Sequence, residues 1–184
     1  MRLALVWLRL DLRLADQPAL EAALTGGYLP VAATLASQVM MSAATVALPV
    51  LAPKAAPEIG APVAWVGLFV AVVYGSSMVC SLPAGALVRR WGAIRLSQLC
   101  LLSACAGLAL IATSHRVGAA LGALLVGMGY GPLMPASSHL LDRVAPVHRR
   151  ATIFSIKQTG VPLGAVLAGA ILPSLAFALG WQAA

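Results

Sequence analysis

The side chains able to recognise a polar solute are few and lie inside otherwise apolar stretches: Thr34 and Gln38 four residues apart, Tyr74, and the adjacent Lys157 and Gln158. A hydroxyl, an amide or an ammonium surrounded by hydrocarbon costs free energy unless something hydrogen-bonds it. Such groups therefore either line a solute path or bond a neighbouring helix. Lys157 has a further option, which is to extend its stem until the ammonium reaches the membrane interface. If it faces a cavity instead, an anionic solute is favoured. Cys80, Cys100 and Cys105 lie in the same apolar stretches with no Cys-x-x-Cys pairing and no histidine at ligand spacing, while His115 and His148 fall in loops and His139 near a span end. These read as ordinary buried or loop groups, so no metal, cofactor or catalytic residue is expected.

The elements that position these groups are long runs without charge: 22–53, 59–88, 96–115, 117–141 and 158–184. A helix needs about 20 mostly apolar residues to cross a bilayer, because ~1.5 Å of rise per residue must cover ~30 Å of hydrocarbon. Each run supplies one, with spans expected over about 30–52, 62–87, 96–114, 117–141 and 157–180. The composition, 61% hydrophobic and 9% charged, excludes an ordinary soluble domain, where charged residues make up roughly 25%.

Charge between the runs sets the orientation. The first and third connections hold only Lys54 with Glu58 and only Arg116, whereas the second holds Arg89, Arg90 and Arg95 and the fourth holds Arg143, Arg149, Arg150 and Lys157 against Asp142. Short loops rich in Lys and Arg stay cytoplasmic, which places the N-terminus inside and the C-terminus outside. Seven of the twelve basic residues belong to those two loops. The net charge of +7 is thereby accounted for, and with no aromatic or glycine-rich nucleic-acid motif beside it, no nucleic-acid partner is expected.

Residues 1–27 follow a different pattern. The apolar stretch 3–8 is interrupted by charge after six residues, too short for a signal-peptide core of about 7 to 15 residues. It reads as a strand, followed by a helix over 19–24 that starts at Asp16, Pro18 and Glu21 and stops at Gly26 and Gly27. The segment Leu5-Val-Trp-Leu-Arg-Leu-Asp-Leu-Arg-Leu-Ala-Asp-Gln-Pro-Ala-Leu, continuing to Leu29-Pro30-Val31, resembles the opening of a DNA photolyase or cryptochrome, usually W-F-R-R-D-L-R-L-x-D-N-P-A-L. Leu8, Leu10 and Gln17 depart from that pattern. One strand with one helix cannot close an α/β sheet, and the family's flavin-binding helical domain has no counterpart here. A cytoplasmic photolyase-like fragment over 1–29 without photolyase activity is the expectation, and flavin absorbance separates it from a photolyase-like flavoprotein.

From about Pro30 the chain resembles the N-terminal half of a major facilitator superfamily transporter. Gly85-Ala-Leu-Val-Arg-Arg-Trp-Gly-Ala-Ile-Arg fits the family loop pattern G-x-L-x-D-R-x-G-x-x-x through Gly85, Leu87, Arg90, Gly92 and Arg95, with Arg89 in place of the usual acid. Gly85 is expected to let helices approach closely and Gly92 to permit the turn. The resemblance implies a charge network in which Arg90 reaches Asp142. Gly127, Gly129 and Gly131 with Pro132 resemble the glycine-rich fourth helix, although its usual arginine is Ala123 here. Ser155-Ile-Lys-Gln-Thr-Gly-Val-Pro-Leu-Gly-Ala-Val-Leu-Ala-Gly resembles the fifth, where Gly160, Gly164 and Gly169 offer a small-residue face and Pro162 frees a carbonyl and bends the helix.

The expected fold is therefore an all-α integral membrane protein: five transmembrane helices of a six-helix half bundle over 30–184, preceded by a short strand–helix remnant. The resemblance implies transport of a small solute through a lipid bilayer, here by a truncated fragment expected to be inactive alone, in a bacterial inner membrane. The alternatives are the photolyase-like flavoprotein fragment and a membrane interaction protein completed by a separately encoded second half.

Overall fold

The computed structural model describes residues 29–60 and 62–183. The strand and helix expected at 3–8 and 19–24, and with them the photolyase-like stretch, lie outside the described residues. The described residues form α1 (Leu29–Ile59), a 3-10 turn (Val63–Trp65), α2 (Val66–Ser81), α3 (Ala84–Trp91), α4 (Ala93–Ile111), α5 (Arg116–Val144), a second 3-10 turn (Val147–Arg149), α6 (Arg150–Gln158) and α7 (Gly160–Leu179). Among them, four rods are long and apolar enough to cross a membrane, and α2 with α3 makes a fifth when the bent pair counts as one. The all-helical architecture expected from the charge pattern is the one observed.

Two spans differ from their expected form. α1 does not end at residue 52 but runs to Ile59 through Pro49, Pro53 and Pro57. Their spacing of four aligns the carbonyls they leave without a donor along one face, so the ladder elsewhere is intact and the helix continues. Lys54 and Glu58 consequently stand on its last turns rather than in a loop. Lys54 Nζ lies 5.1 Å over the Phe177 ring, and Glu58 accepts hydrogen bonds from Trp181 Nε1 at 2.8 Å and Gln182 Nε2 at 2.6 Å. The second span, expected as one helix over 62–87, is two helices meeting at 59°. Pro83 has no N–H to give Val79, whose carbonyl is met by the Leu82 N–H at 3.3 Å instead. The helix that follows buries Ala84 and Val88 and leaves Arg89 and Arg90 exposed, so the bend turns the arginines out of the apolar rod. Gly92, with φ at +82°, then joins α3 to α4 in a conformation that only glycine enters without steric cost.

The fifth span begins before residue 157, with α6 as its first part. The rod is interrupted at Thr159, where Pro162 leaves the Gln158 carbonyl without its helical donor, yet 147–178 still forms one span.

Small residues set how closely the rods approach. A Cβ added to Gly107 of α4 would stand 2.7 Å from the Gly122 carbonyl oxygen of α5, and one added to Gly122 would overlap the Gly107 carbonyl in return. Gly127 and Gly131 press α5 onto the backbone of Val73 and Ser77 in α2, Gly129 presses it onto Cys100 of α4, and Gly164 presses α7 onto Val39 of α1. Ser103 and Ser42 hydroxyls donate to the Leu125 and Val161 carbonyls at 2.7 and 2.6 Å, closing the same seams. Around them, Leu48, Phe69, Val73, Ile111 and Val126 form one apolar cluster and Met41, Val88, Leu96, Cys100 and Leu133 another. Gly169 differs from the other glycines of its group, since an added Cβ meets nothing within 4 Å. Gly107→Val is therefore expected to destabilise the protein by about 1–3 kcal/mol through overpacking, whereas Gly169→Ala stays within about 1 kcal/mol of the parent. Unfolding titrations in mixed micelles check the pair.

Candidate functional site

Lys157 occupies the last turn of α6 and is only 2% exposed. Its ammonium donates to Ser138 Oγ at 2.9 Å and to the Met134 carbonyl at 3.3 Å, both on α5. The next residue, Gln158, is exposed, because successive helical positions are rotated by about 100° and only one of an adjacent pair can face the seam. Of the two polar groups expected to open this span together, the structure brings only Lys157 inward.

Gln38 lies on α1, against Gly160 at the start of α7. It is fully buried, and neither its amide oxygen nor its amide nitrogen has a hydrogen-bond partner. Gly160, one turn beyond Lys157, makes room for it: a Cβ there would stand 2.9 Å from Gln38 Cβ. The other members of the expected set are placed differently. Thr34 is buried, but its hydroxyl is spent within its own helix on the carbonyls of Pro30 and Val31, at 2.9 and 3.0 Å. Tyr74 is half exposed on α2, where its ring meets that of Tyr130 edge-on with centroids 5.9 Å apart. Pro162 lies in the first turn of α7, beside this seam.

Three participants were not expected: Ser138, the Met134 carbonyl and Tyr130. The signal available for the first was the Ser137–Ser138 pair inside an apolar run; for Tyr130 it was a ring embedded among Gly127, Gly129 and Gly131.

The basic loop is also rearranged relative to expectation. Asp142 does not pair with Arg90; its carboxylate lies 3.6 Å from Arg150 Nε, and Arg150 Nη2 donates to the Asp142 carbonyl at 2.9 Å. Arg150, at the start of α6, is eight residues along the chain and reaches back over the short connection, whereas Arg90 is exposed on the bent-away α3. Gly85 does not mediate close helix contact either, because an added Cβ would meet only the Arg89 side chain at 3.7 Å. Leu87 packs at the edge of the second apolar cluster, and Arg95 opens α4.

Chemically, the bundle offers an ammonium with three donors, of which two are used, and, on α1 against Gly160, an amide with both donors and an acceptor unspent. Among the described residues no carboxylate is paired with Lys157. The arrangement suits hydrogen bonding to a polar anion.

A bundle of apolar rods with, among the described residues, one buried cation defines an integral membrane protein with a polar point inside its helices. Residues 31–184 match the Major Facilitator Superfamily, and the chain belongs to that superfamily. Among curated proteins, the Hexuronate transporter of Bacillus subtilis (strain 168) is 32% identical over 59 residues, a stretch covering 32% of this chain and 14% of that protein. No solved structure matches the chain.

Lys157→Met keeps most of the stem and removes a buried charge, so its unfolding temperature is expected to equal or exceed the parent's. Asp142→Asn, which breaks a half-exposed pair, shifts stability by less than about 1 kcal/mol. Thermal unfolding in detergent micelles, read by tryptophan fluorescence, measures both.

Proposed function

We propose that residues 30–184 supply one bundle of a secondary transporter for a small organic acid, acting with a second bundle by alternating access around a site between them. The buried Lys157 ammonium in an apolar span carries this reading: a cation held there with no carboxylate partner among the described residues is costly, and an incoming anion supplies the missing charge. Gln38 stands ready to complete the contact, its amide nitrogen donating to a carboxylate and its oxygen accepting from a hydroxyl. The partial likeness to a protein named for hexuronate transport supports the same class of solute. Tyr74 and Tyr130 form the neighbouring wall, and Thr34 and Gln158 serve the helices rather than the solute. The basic residues around 89–95 and 143–150 support an N-terminus on the cytoplasmic side of a bacterial inner membrane. The glycines at 127, 129, 131, 160 and 164 act as the packing surfaces on which the rods move.

Titration of the purified protein with glucuronate, gluconate and pyruvate, with glucose as a neutral control, tests the proposal. At least one acid is expected to bind saturably while glucose does not. Lys157→Met is expected to weaken that acid tenfold or more, and Gln38→Leu several-fold. Equal response to acid and neutral sugar, or undiminished acid binding by Lys157→Met, contradicts it.

A further inference from the structure

The rim opposite the basic loops carries a second feature, independent of the Lys157 seam. Two hollows adjoin there and share Ile59 and Arg116. One, of about 170 Å³, runs between α1, α2 and α5 and is walled by apolar side chains including Leu48, Ala52, Phe69 and Ala120. The other, wider and open, of about 630 Å³, is edged by Thr113, His115 and Arg116. Arg116 stands between them: its guanidinium lies 5.9 Å over the Trp65 ring and donates to the Gly60 carbonyl. Of its five N–H donors, this leaves others for a ligand.

We propose that this pair of hollows binds an anionic phospholipid, with one acyl chain in the apolar hollow and the phosphate on Arg116 in the open one. Complementarity picks out the occupant. The inner hollow offers almost nothing for a polar group to bond, while its mouth presents a guanidinium, which pairs with phosphate oxygens by charge-assisted and bidentate hydrogen bonds. Trp65 beside it is the amphipathic ring that membrane proteins place at headgroup depth. Among the described residues the acid on this rim, Glu58, makes no ion pair with Arg116: its carboxylate accepts from Trp181 and Gln182, while Lys54 lies over the Phe177 ring. A free phosphate ion leaves the apolar hollow unused, and a zwitterionic lipid sets its own cation against the phosphate charge that Arg116 would pair with.

Native mass spectrometry of the whole chain, released from micelles containing phosphatidylglycerol or phosphatidylcholine of identical chains, reads the site. Retention of one phosphatidylglycerol at least threefold over phosphatidylcholine is expected. Arg116→Gln is expected to lower it to the phosphatidylcholine level, and Ala120→Phe, which fills the hollow from an exposed position, to lower retention of both. Millimolar inorganic phosphate is expected not to displace the lipid. Equal retention of the two lipids by the parent, unchanged retention by both variants, or displacement by phosphate overturns the proposal.

Discussion

A hydrocarbon environment offers no hydrogen-bond partner and no hydrophobic reward for bringing two apolar helices together. Everything else in the molecule answers to those two facts. Backbone groups are satisfied within the rods, and the rods are held by close contact wherever side chains are small enough to allow it. α5 is the mast of this arrangement, with Gly122 and Gly129 against α4 and Gly127 and Gly131 against α2. The glycines that look like helix breakers in a soluble protein are here what lets carbonyls and Cα atoms of adjacent helices touch.

The same scarcity of partners gives Lys157 its meaning. A lysine near a span end can extend toward water, but this one turns inward to Ser138 and the Met134 carbonyl of α5. Close packing at Gly160 and Gly164 brings α1 against the rod that carries it, with Gln38 at the Gly160 contact. Tight packing and a polar point are therefore one design: the glycines exclude lipid from the place where an ammonium and an amide lack full partnership. At the opposite rim the logic reverses, since Arg116, Trp65 and Glu58 stand at the ends of the rods and find partners in backbone, ring and amide.

Much of the bundle was legible from charge spacing alone, because a charge inside hydrocarbon is costly wherever the helices pack. The number of rods follows from that one-dimensional signal. What was not legible depends on pairings between distant segments. Pro49, Pro53 and Pro57 read as the end of a span, yet their four-residue spacing spares the helix. Pro83 lay unnoticed inside an apolar run, yet it bends the second span by 59° and carries Arg90 away from Asp142. Which face of α6 turns inward distinguishes Lys157 from Gln158, and Ser138 becomes its partner only because α5 and α6 meet.

The most direct test of the account is a crystal structure grown in a lipid mesophase with the tightest-binding organic acid. The account predicts a carboxylate within hydrogen-bond reach of Lys157 Nζ and the Gln38 amide, with the ammonium still buried among α1, α5 and α6. An acid bound without touching either side chain, or a Lys157 extended to the headgroup region, contradicts it.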